Sequence, residues 1–119
     1  MRIERELMRG AGPVAILKLL SLREMYGYEL VETLASKTEG VLAMGQSSVY
    51  PLLYNLEAKG LVRSERRRAE SGRERKYYGL TRAGERRLAA EVEQWQAVNG
   101  AMQSLGVIRG MGTLAGALA

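Results

Sequence analysis

The sequence predicts a mainly α-helical fold with one small β-hairpin, in the winged helix-turn-helix arrangement. Three stretches before residue 60 carry apolar residues at helical spacing, as expected of packed amphipathic helices. Two polar, arginine-rich arms then flank a Glu-Ser-Gly turn, which is typical of a hairpin. A last long stretch with one apolar stripe follows. The order of three helices, hairpin and long helix is that of a winged helix followed by a dimerisation helix.

The first two core helices are expected on either side of Gly27. Residues 1–12 alternate charged and apolar side chains and predict a short, separate helix that ends at Gly12-Pro13. Proline suits the first position of a helix, so the apolar residues 14–20 predict a core helix that starts at Pro13 and ends near residue 23. Gly27 marks a turn or cap, and Leu30, Val31 and Leu34 then repeat at the spacing of a second core helix.

The third helix is expected over residues 46–59. Val49, Leu52, Leu53 and Leu56 give it a core stripe, serine hydroxyls are available to cap its start, and Gly60 ends it. The other face carries groups that can hydrogen-bond to base edges and phosphates. An amphipathic core helix with capping serines is the alternative interpretation. Beside a basic hairpin we favour DNA contacts, and we predict them at Gln46, Ser47, Ser48, Tyr50, Tyr54 and Asn55.

The hairpin concentrates the positive charge of the chain. The formal net charge is +5, and residues 61–80 contain seven Arg or Lys against three Glu. The planar fork of arginine fits phosphate, although a solvated charged surface is the alternative interpretation. Alternate strand residues face opposite sides, so not every cation can contact DNA. We predict DNA contacts from Arg67, Arg68, Arg73, Arg75 and Lys76, and we expect Tyr77, Tyr78 and Leu80 to anchor the hairpin to the core.

The last helix, capped by Thr81, has one apolar stripe and no helix left in the chain to pack against. Such a stripe predicts pairing with a second copy, through Leu88, Val92, Trp95, Val98, Met102 and Leu105. Two copies of Trp95 near the two-fold axis would form a clamp for a planar apolar ligand; ordinary interface packing is the alternative.

The predicted domains are a winged-helix domain (1–80), a dimerisation helix (81–108) and a Gly/Ala-rich tail (109–119) without an assigned structure.

The composition gives no support to catalysis. The chain has no His and no Cys, and all 13 acidic residues are Glu. A Ser-His-Asp arrangement and a zinc site built on sulfur are therefore excluded, and we predict that the protein is not an enzyme and uses no cofactor or metal. The charged start of the chain and its short apolar runs, well under the ~20 residues of a membrane span, predict a cytoplasmic protein without a membrane segment.

Three sequence blocks resemble the PadR family of transcriptional regulators. They are GYEL at 27–30, SVYPLLYNLEAKGLV at 48–62 and SGRERKYYGLTRAG at 71–84. Each block alone is weakly specific, but their shared order and spacing is highly specific, and the resemblance covers about residues 7–100. It implies a winged-helix homodimer that represses transcription at a palindromic DNA operator until an effector releases it. Its recognition helix would be residues 46–59 and its wing residues 62–80.

The resemblance also implies a class of effector. In some relatives a tryptophan at the position of Trp95 stacks on planar, drug-like molecules, and others respond to phenolic acids. The segment Gln46-Ser47-Ser48-Val49 stands where many relatives have Gly-Thr-Leu, so no operator sequence can be transferred. The short C-terminal part places the chain with the short subfamily. A winged helix that contacts another protein instead of DNA stays the alternative function, and the basic wing argues against it.

Overall fold

The computed structural model describes residues 1–109 and confirms the predicted fold class. The predicted Gly/Ala-rich tail lies, from residue 110 onward, outside the described residues. The three strands form one antiparallel sheet in the order β1-β3-β2. In chain order the elements are α1 (Arg5–Leu22), β1 (Met25–Tyr26), α2 (Gly27–Lys37), α3 (Gln46–Ala58), β2 (Val62–Arg68), β3 (Glu74–Leu80) and α4 (Arg82–Ser104).

The core lies between the first three helices and the inner face of the sheet. Burial of these apolar side chains is the main stabilising contribution to the fold. The buried set includes most of the stripes predicted for the second and third helices and the anchoring Tyr78, whereas Val31 and Leu52 of those stripes are partly buried against it. Its main members are Ile16, Leu17, Leu30, Leu34, Val49, Leu53, Leu56, Val62, Tyr78 and Leu88.

The predicted break at Pro13 is wrong, because α1 runs without interruption from Arg5 to Leu22. A proline inside a helix removes one backbone hydrogen bond and usually kinks or breaks the helix. Here α1 packs closely just before the proline. A Cβ atom at the buried Gly12 would lie 3.3 Å from Leu52 Cδ1. The absence of a side chain at Gly12 therefore lets α1 pass close to α3 at the position where the sequence alone indicates a boundary.

The start of α3 also differs from the prediction. Gly45, in an extended conformation, precedes the helix, and no side chain caps it. The Gly45 carbonyl accepts the N–H groups of Ser48 and Val49, so the helix begins before the serines that were expected to cap it. Ser47 and Ser48 are instead exposed residues of the first turn. The predicted stop is confirmed: Gly60 has φ of +74° and Leu61 N–H donates to Leu56 O, the pattern of a glycine-ended helix.

The hairpin turn and the cap of α4 match their predictions. Gly72, at φ +85°, closes the turn between β2 and β3. Thr81 Oγ1 accepts the N–H of Gly84 at 3.0 Å and donates to Gly60 O at 2.7 Å. One hydroxyl therefore caps α4 and links its first turn to the end of α3.

The short strand β1 was not predicted. Met25 pairs with Tyr78 and Tyr26 with Tyr77, so β3 is the central strand of the sheet. Two residues are too few to show the alternation by which a strand is recognised in a sequence. The pairing places the start of α2 beside the hairpin.

The chain divides into two compact units, one comprising Met1–Leu88 and the other beginning at Ala89. The first contains α1 to α3, the sheet and the beginning of α4. Among the described residues, the second consists of the rest of α4 and the turn after it. No helix within residues 1–109 combines the length and the apolar character needed to cross a bilayer.

Candidate nucleic-acid interface

One face of α3 is exposed and rich in hydrogen-bonding groups. Val49, Leu53 and Leu56 are buried on the other face, which fixes how the helix is rotated about its axis. The side chain of Tyr54 is 53% exposed. The structure therefore exposes five of the six α3 residues predicted to contact DNA and half-buries the remaining one, Tyr50: the exposed residues are Gln46, Ser47, Ser48, Tyr54 and Asn55.

The half-buried Tyr50 packs against the start of α2. A side chain at Gly27 would overlap the Tyr50 ring, so the glycine provides the space that the ring occupies. The rings of Tyr50 and Tyr54 lie 6.2 Å apart, tilted by 44°. Two aromatic rings thus follow one another along α3 next to the start of α2.

The two faces of the hairpin have different surroundings. Alternate residues of a strand point to opposite sides. On the inner face, toward α3, Ser64 Oγ donates to the carboxylate of Glu57 and Tyr78 is buried in the core. The opposite, outer face carries Arg63, Glu65 and Arg67 of β2, together with Arg75 and Tyr77 of β3.

Lys76 is the hairpin cation that lies against α3. Its Nζ atom is 3.9 Å from a carboxylate oxygen of Glu57. The same atom lies 5.7 Å from the centre of the Tyr54 ring and 5.6 Å from that of Tyr78. These are distances at which a cation is attracted to a ring face. The structure thus brings Lys76 and Tyr54, both predicted DNA contacts, together.

Glu24, in the loop before β1, binds two arginines of the outer face. Its Oε2 atom accepts hydrogen bonds from Arg67 at 2.7 Å and from Arg63 at 2.9 Å. Since these bonds favour the charged form, Arg67 foremost and Arg63 next hold the pKa of Glu24 below its ordinary value. The hydrogen bond to Glu24 likewise raises the pKa of Arg67. Arg67, a predicted DNA contact, therefore has a carboxylate partner within the protein.

Arg75 also lies on the outer face. Its guanidinium carbon is 4.2 Å from the centre of the Tyr26 ring, and Tyr26 meets Tyr77 edge to face at 5.6 Å. A guanidinium over a ring at this distance is held by cation–π attraction. The predicted hairpin cations therefore fall into three groups: exposed near the turn (Arg68 and Arg73), against α3 (Lys76), and on the outer face (Arg67 and Arg75).

The start of α2 belongs to this surface, although no functional contact was predicted there. Tyr26, Gly27 and Tyr28 line a shared pocket with Tyr50 and Tyr54 of α3 and with part of β3. The available signal was the GYEL block, from which only a turn or cap was predicted. The contact between Gly27 and Tyr50 is tertiary, so nothing in the local pattern shows it.

In the second unit, α4 exposes large apolar side chains at helical spacing. The side chain of Trp95 is 45% exposed and that of Val98 is 54% exposed. Both line a shallow pocket of about 190 Å³ with Glu91 and Gln94. Val92, Met102 and Leu105 are exposed as well. Leu88, predicted as part of the same stripe, is buried in the core of the first unit.

The comparison with known proteins is consistent with this arrangement. The family model described as "Transcriptional regulator PadR-like family" matches residues 16–90. A Streptococcus transcriptional regulator of known structure is similar with a TM-score of 0.78 and 31% identity, over 87% of this chain and 99% of that one. A PadR family transcriptional regulator from Eggerthella lenta is similar with a TM-score of 0.73 and 34% identity, over 84% and 85% of the two chains.

A third similar structure contains nucleic acid. It is the Bacillus subtilis PadR in complex with operator DNA, with a TM-score of 0.63 and 26% identity. The similarity covers 69% of this chain and 47% of that chain.

Proposed function

Because the chain belongs to the PadR-like family of transcriptional regulators, we propose that it is a homodimeric, sequence-specific DNA-binding regulator that represses its target genes. Its membership also confirms the prediction that it is not an enzyme. The observation that carries the DNA-binding proposal is the exposed polar face of α3 next to the cationic hairpin. A regulator of this kind acts where the chromosome is, in the cytoplasm.

In the proposed complex α3 enters the major groove and the hairpin contacts the adjacent backbone. The amide, hydroxyl and phenol groups of α3 are suited to base edges, which carry the sequence information. The exposed Arg73 and the half-buried Lys76 supply charge for phosphates, which fix position rather than sequence. The operator complex of the similar Bacillus subtilis protein supports this use of the fold.

Two copies are proposed to pair through the apolar stripe of α4 in the second unit, from Val92 to Leu105. Its exposed side chains would be covered in a dimer, as in other paired helices. A two-fold dimer places two recognition helices on half-sites about 34–36 Å apart. The operator should therefore be palindromic.

Salt dependence tests the DNA-binding proposal. A duplex selected in vitro from a random pool should bind, and its affinity should fall at least tenfold between about 50 and about 200 mM salt because phosphate neutralisation releases bound cations. Replacing Arg73 with Ala should weaken binding to selected and random duplexes alike and reduce the magnitude of the salt slope by about one. Lys37→Ala, which removes the same charge from the far end of α2, is the matched control.

Two outcomes would contradict this proposal. An affinity that does not change with salt would argue against phosphate contacts. Capture of a protein partner by a protein that shifts no DNA at low salt would favour the alternative, a winged helix used for protein contact. Equal effects of Arg73→Ala and Lys37→Ala would assign only a general charge effect to the hairpin.

The proposal includes release of DNA by a planar apolar or phenolic effector that stacks on Trp95. The supporting observation is the shallow pocket in which the half-exposed indole lies beside Val98. Because Trp95 is the only tryptophan, a compound that releases the DNA should also quench the fluorescence of the protein. A releasing compound that leaves the emission unchanged, or that acts equally on Trp95→Ala, would exclude the clamp.

A further inference from the structure

A pocket of about 290 Å³ lies where the start of α2, the middle of α3 and the first half of β3 meet. Its walls are tyrosine rings, among them those of Tyr28, Tyr50 and Tyr54. Arg73 and Lys76 are on its lining as well. The pocket is therefore both aromatic and cationic, and it lies between the exposed face of α3 and the hairpin.

Tyr78 contributes an unsatisfied polar group to this pocket. Its side chain is only 1% exposed, and its hydroxyl has no hydrogen-bond partner among residues 1–109. Buried tyrosine hydroxyls normally have a partner, since an unpaired polar group in the interior is costly. Burial also raises the pKa of Tyr78 to about 12, so the hydroxyl keeps its proton and can only donate to an anion. A phenylalanine would fill the core equally well, so the hydroxyl itself calls for an explanation.

The charged groups around the pocket favour an anion. Arg73, Arg75 and Lys76 line it against the single carboxylate of Glu74. Glu74 lies 3.7 Å from Arg66, and Glu57 lies 3.9 Å from Lys76. The amino-terminal end of α2, an 11-residue helix that begins at Gly27, adds the partial positive charge of its dipole. Neutral donors beside cations are the groups that contact DNA phosphates in protein complexes.

We propose that this pocket seats one phosphate of the DNA backbone in each half-site, with Lys76 supplying the charge and the Tyr78 hydroxyl, which is covered in the free protein, donating to a phosphate oxygen once the side chains that cover it move aside. The inference rests on the proposed DNA-binding function, because the phosphate belongs to the strand that passes between α3 in the groove and the hairpin beside it. The site gives affinity without sequence preference, since every nucleotide carries the same phosphate.

Tyr78→Phe separates this role from a structural one. Removing an unpaired hydroxyl while keeping the ring should leave the melting temperature unchanged or raise it. The affinity for selected and random duplexes should nevertheless fall by about tenfold or more, as for the loss of one hydrogen bond to a charged group. The salt slope should not change because the hydroxyl is neutral, whereas Lys76→Ala should reduce its magnitude by about one. Tyr77→Phe, on the opposite face of the same strand, should bind DNA like the wild type.

Phosphate neutralisation on the DNA identifies the partner atom. Single methylphosphonates, which lack the phosphate charge, are placed along the selected duplex. At one position per half-site the substitution should lower the DNA affinity of the wild type but should not lower the affinity of Tyr78→Phe any further. Titration with inorganic phosphate, with the melting temperature of the protein as the readout, tests for a free anion as the alternative ligand.

Three results of these experiments would contradict the inference or the function on which it rests. Tyr78→Phe that binds DNA like the wild type, or that loses stability together with affinity, overturns the inference. Inorganic phosphate at low concentration could instead stabilise the wild type but not Tyr78→Phe, while the two proteins bind DNA with equal affinity. That result would assign the pocket to a free anion and would also overturn the inference. A wild type that binds no duplex refutes the proposed function itself and is recognised before any variant is made.

Discussion

Replacing Gly84 with Ala is expected to destabilise the first unit by about 3 kcal/mol, the upper end of the usual range for over-packing. A methyl group at this position would overlap the backbone carbonyl oxygen of Leu61 and would also approach Leu80. A backbone atom cannot rotate away as a flexible side chain can. The first turn of α4 would therefore have to move away from the segment that joins α3 to β2, and the bond between Thr81 and Gly60 would be strained with it.

Thermal unfolding followed by circular dichroism measures this effect. For a domain of this size 3 kcal/mol corresponds to a fall in melting temperature of roughly 10–20 °C. The matched control is Gly100→Ala in the same helix, where nothing lies within 4 Å of the added methyl group. That variant should be more stable by about 0.5–1 kcal/mol, because alanine favours a helix over glycine. Equal behaviour of the two variants would show that α4 does not pack on Leu61 as described.

Introducing a charge into the α4 stripe is expected to abolish dimerisation and most DNA binding. In Val98→Glu the carboxylate would have to be buried without a partner if the stripes paired. Binding through one half-site instead of two should then lower the affinity for a palindromic duplex by about 10²–10⁴-fold. Since Val98 is 54% exposed in the single chain, the fold of the first unit should be retained.

Analytical ultracentrifugation and binding to the selected duplex read out the two parts of this prediction. Ala97→Glu carries the same charge on the opposite side of the helix, two residues from Trp95, and should remain dimeric. A Val98→Glu protein that still dimerises would exclude the stripe as the interface. A monomeric variant with undiminished affinity would show that dimerisation is not needed for DNA binding.

The elements that could be predicted from sequence are those with a local signal. The stripe of α3 repeats within one helix, and the Glu-Ser-Gly turn lies between its two arms, so both follow from neighbouring residues. Cap and stop residues such as Thr81 and Gly60 act over three or four positions. For the same reason the exposed polar face of α3 was found correctly.

Contacts between residues that are far apart in the chain could not be predicted from local sequence patterns. Pro13 normally signals a helix boundary, but α1 continues through it and passes close to Leu52, 40 residues away from Gly12 in the chain. The pairing of Glu24 with Arg63 and Arg67 spans 39 and 43 residues. The unpaired hydroxyl of Tyr78 depends on where three elements meet. Such features arise from the tertiary arrangement, which no local periodicity encodes.

The carboxylate of Glu24 changes how the charge of the hairpin should be counted. Two of the seven cations in residues 61–80 already have this carboxylate as their counterion in the free protein. Contact of Arg63 or Arg67 with DNA would first require that internal pair to open, which offsets part of the electrostatic gain. The hairpin should therefore displace fewer ions per protomer than its seven cations alone suggest, and the arginine-rich composition overstates its electrostatic attraction for nucleic acid.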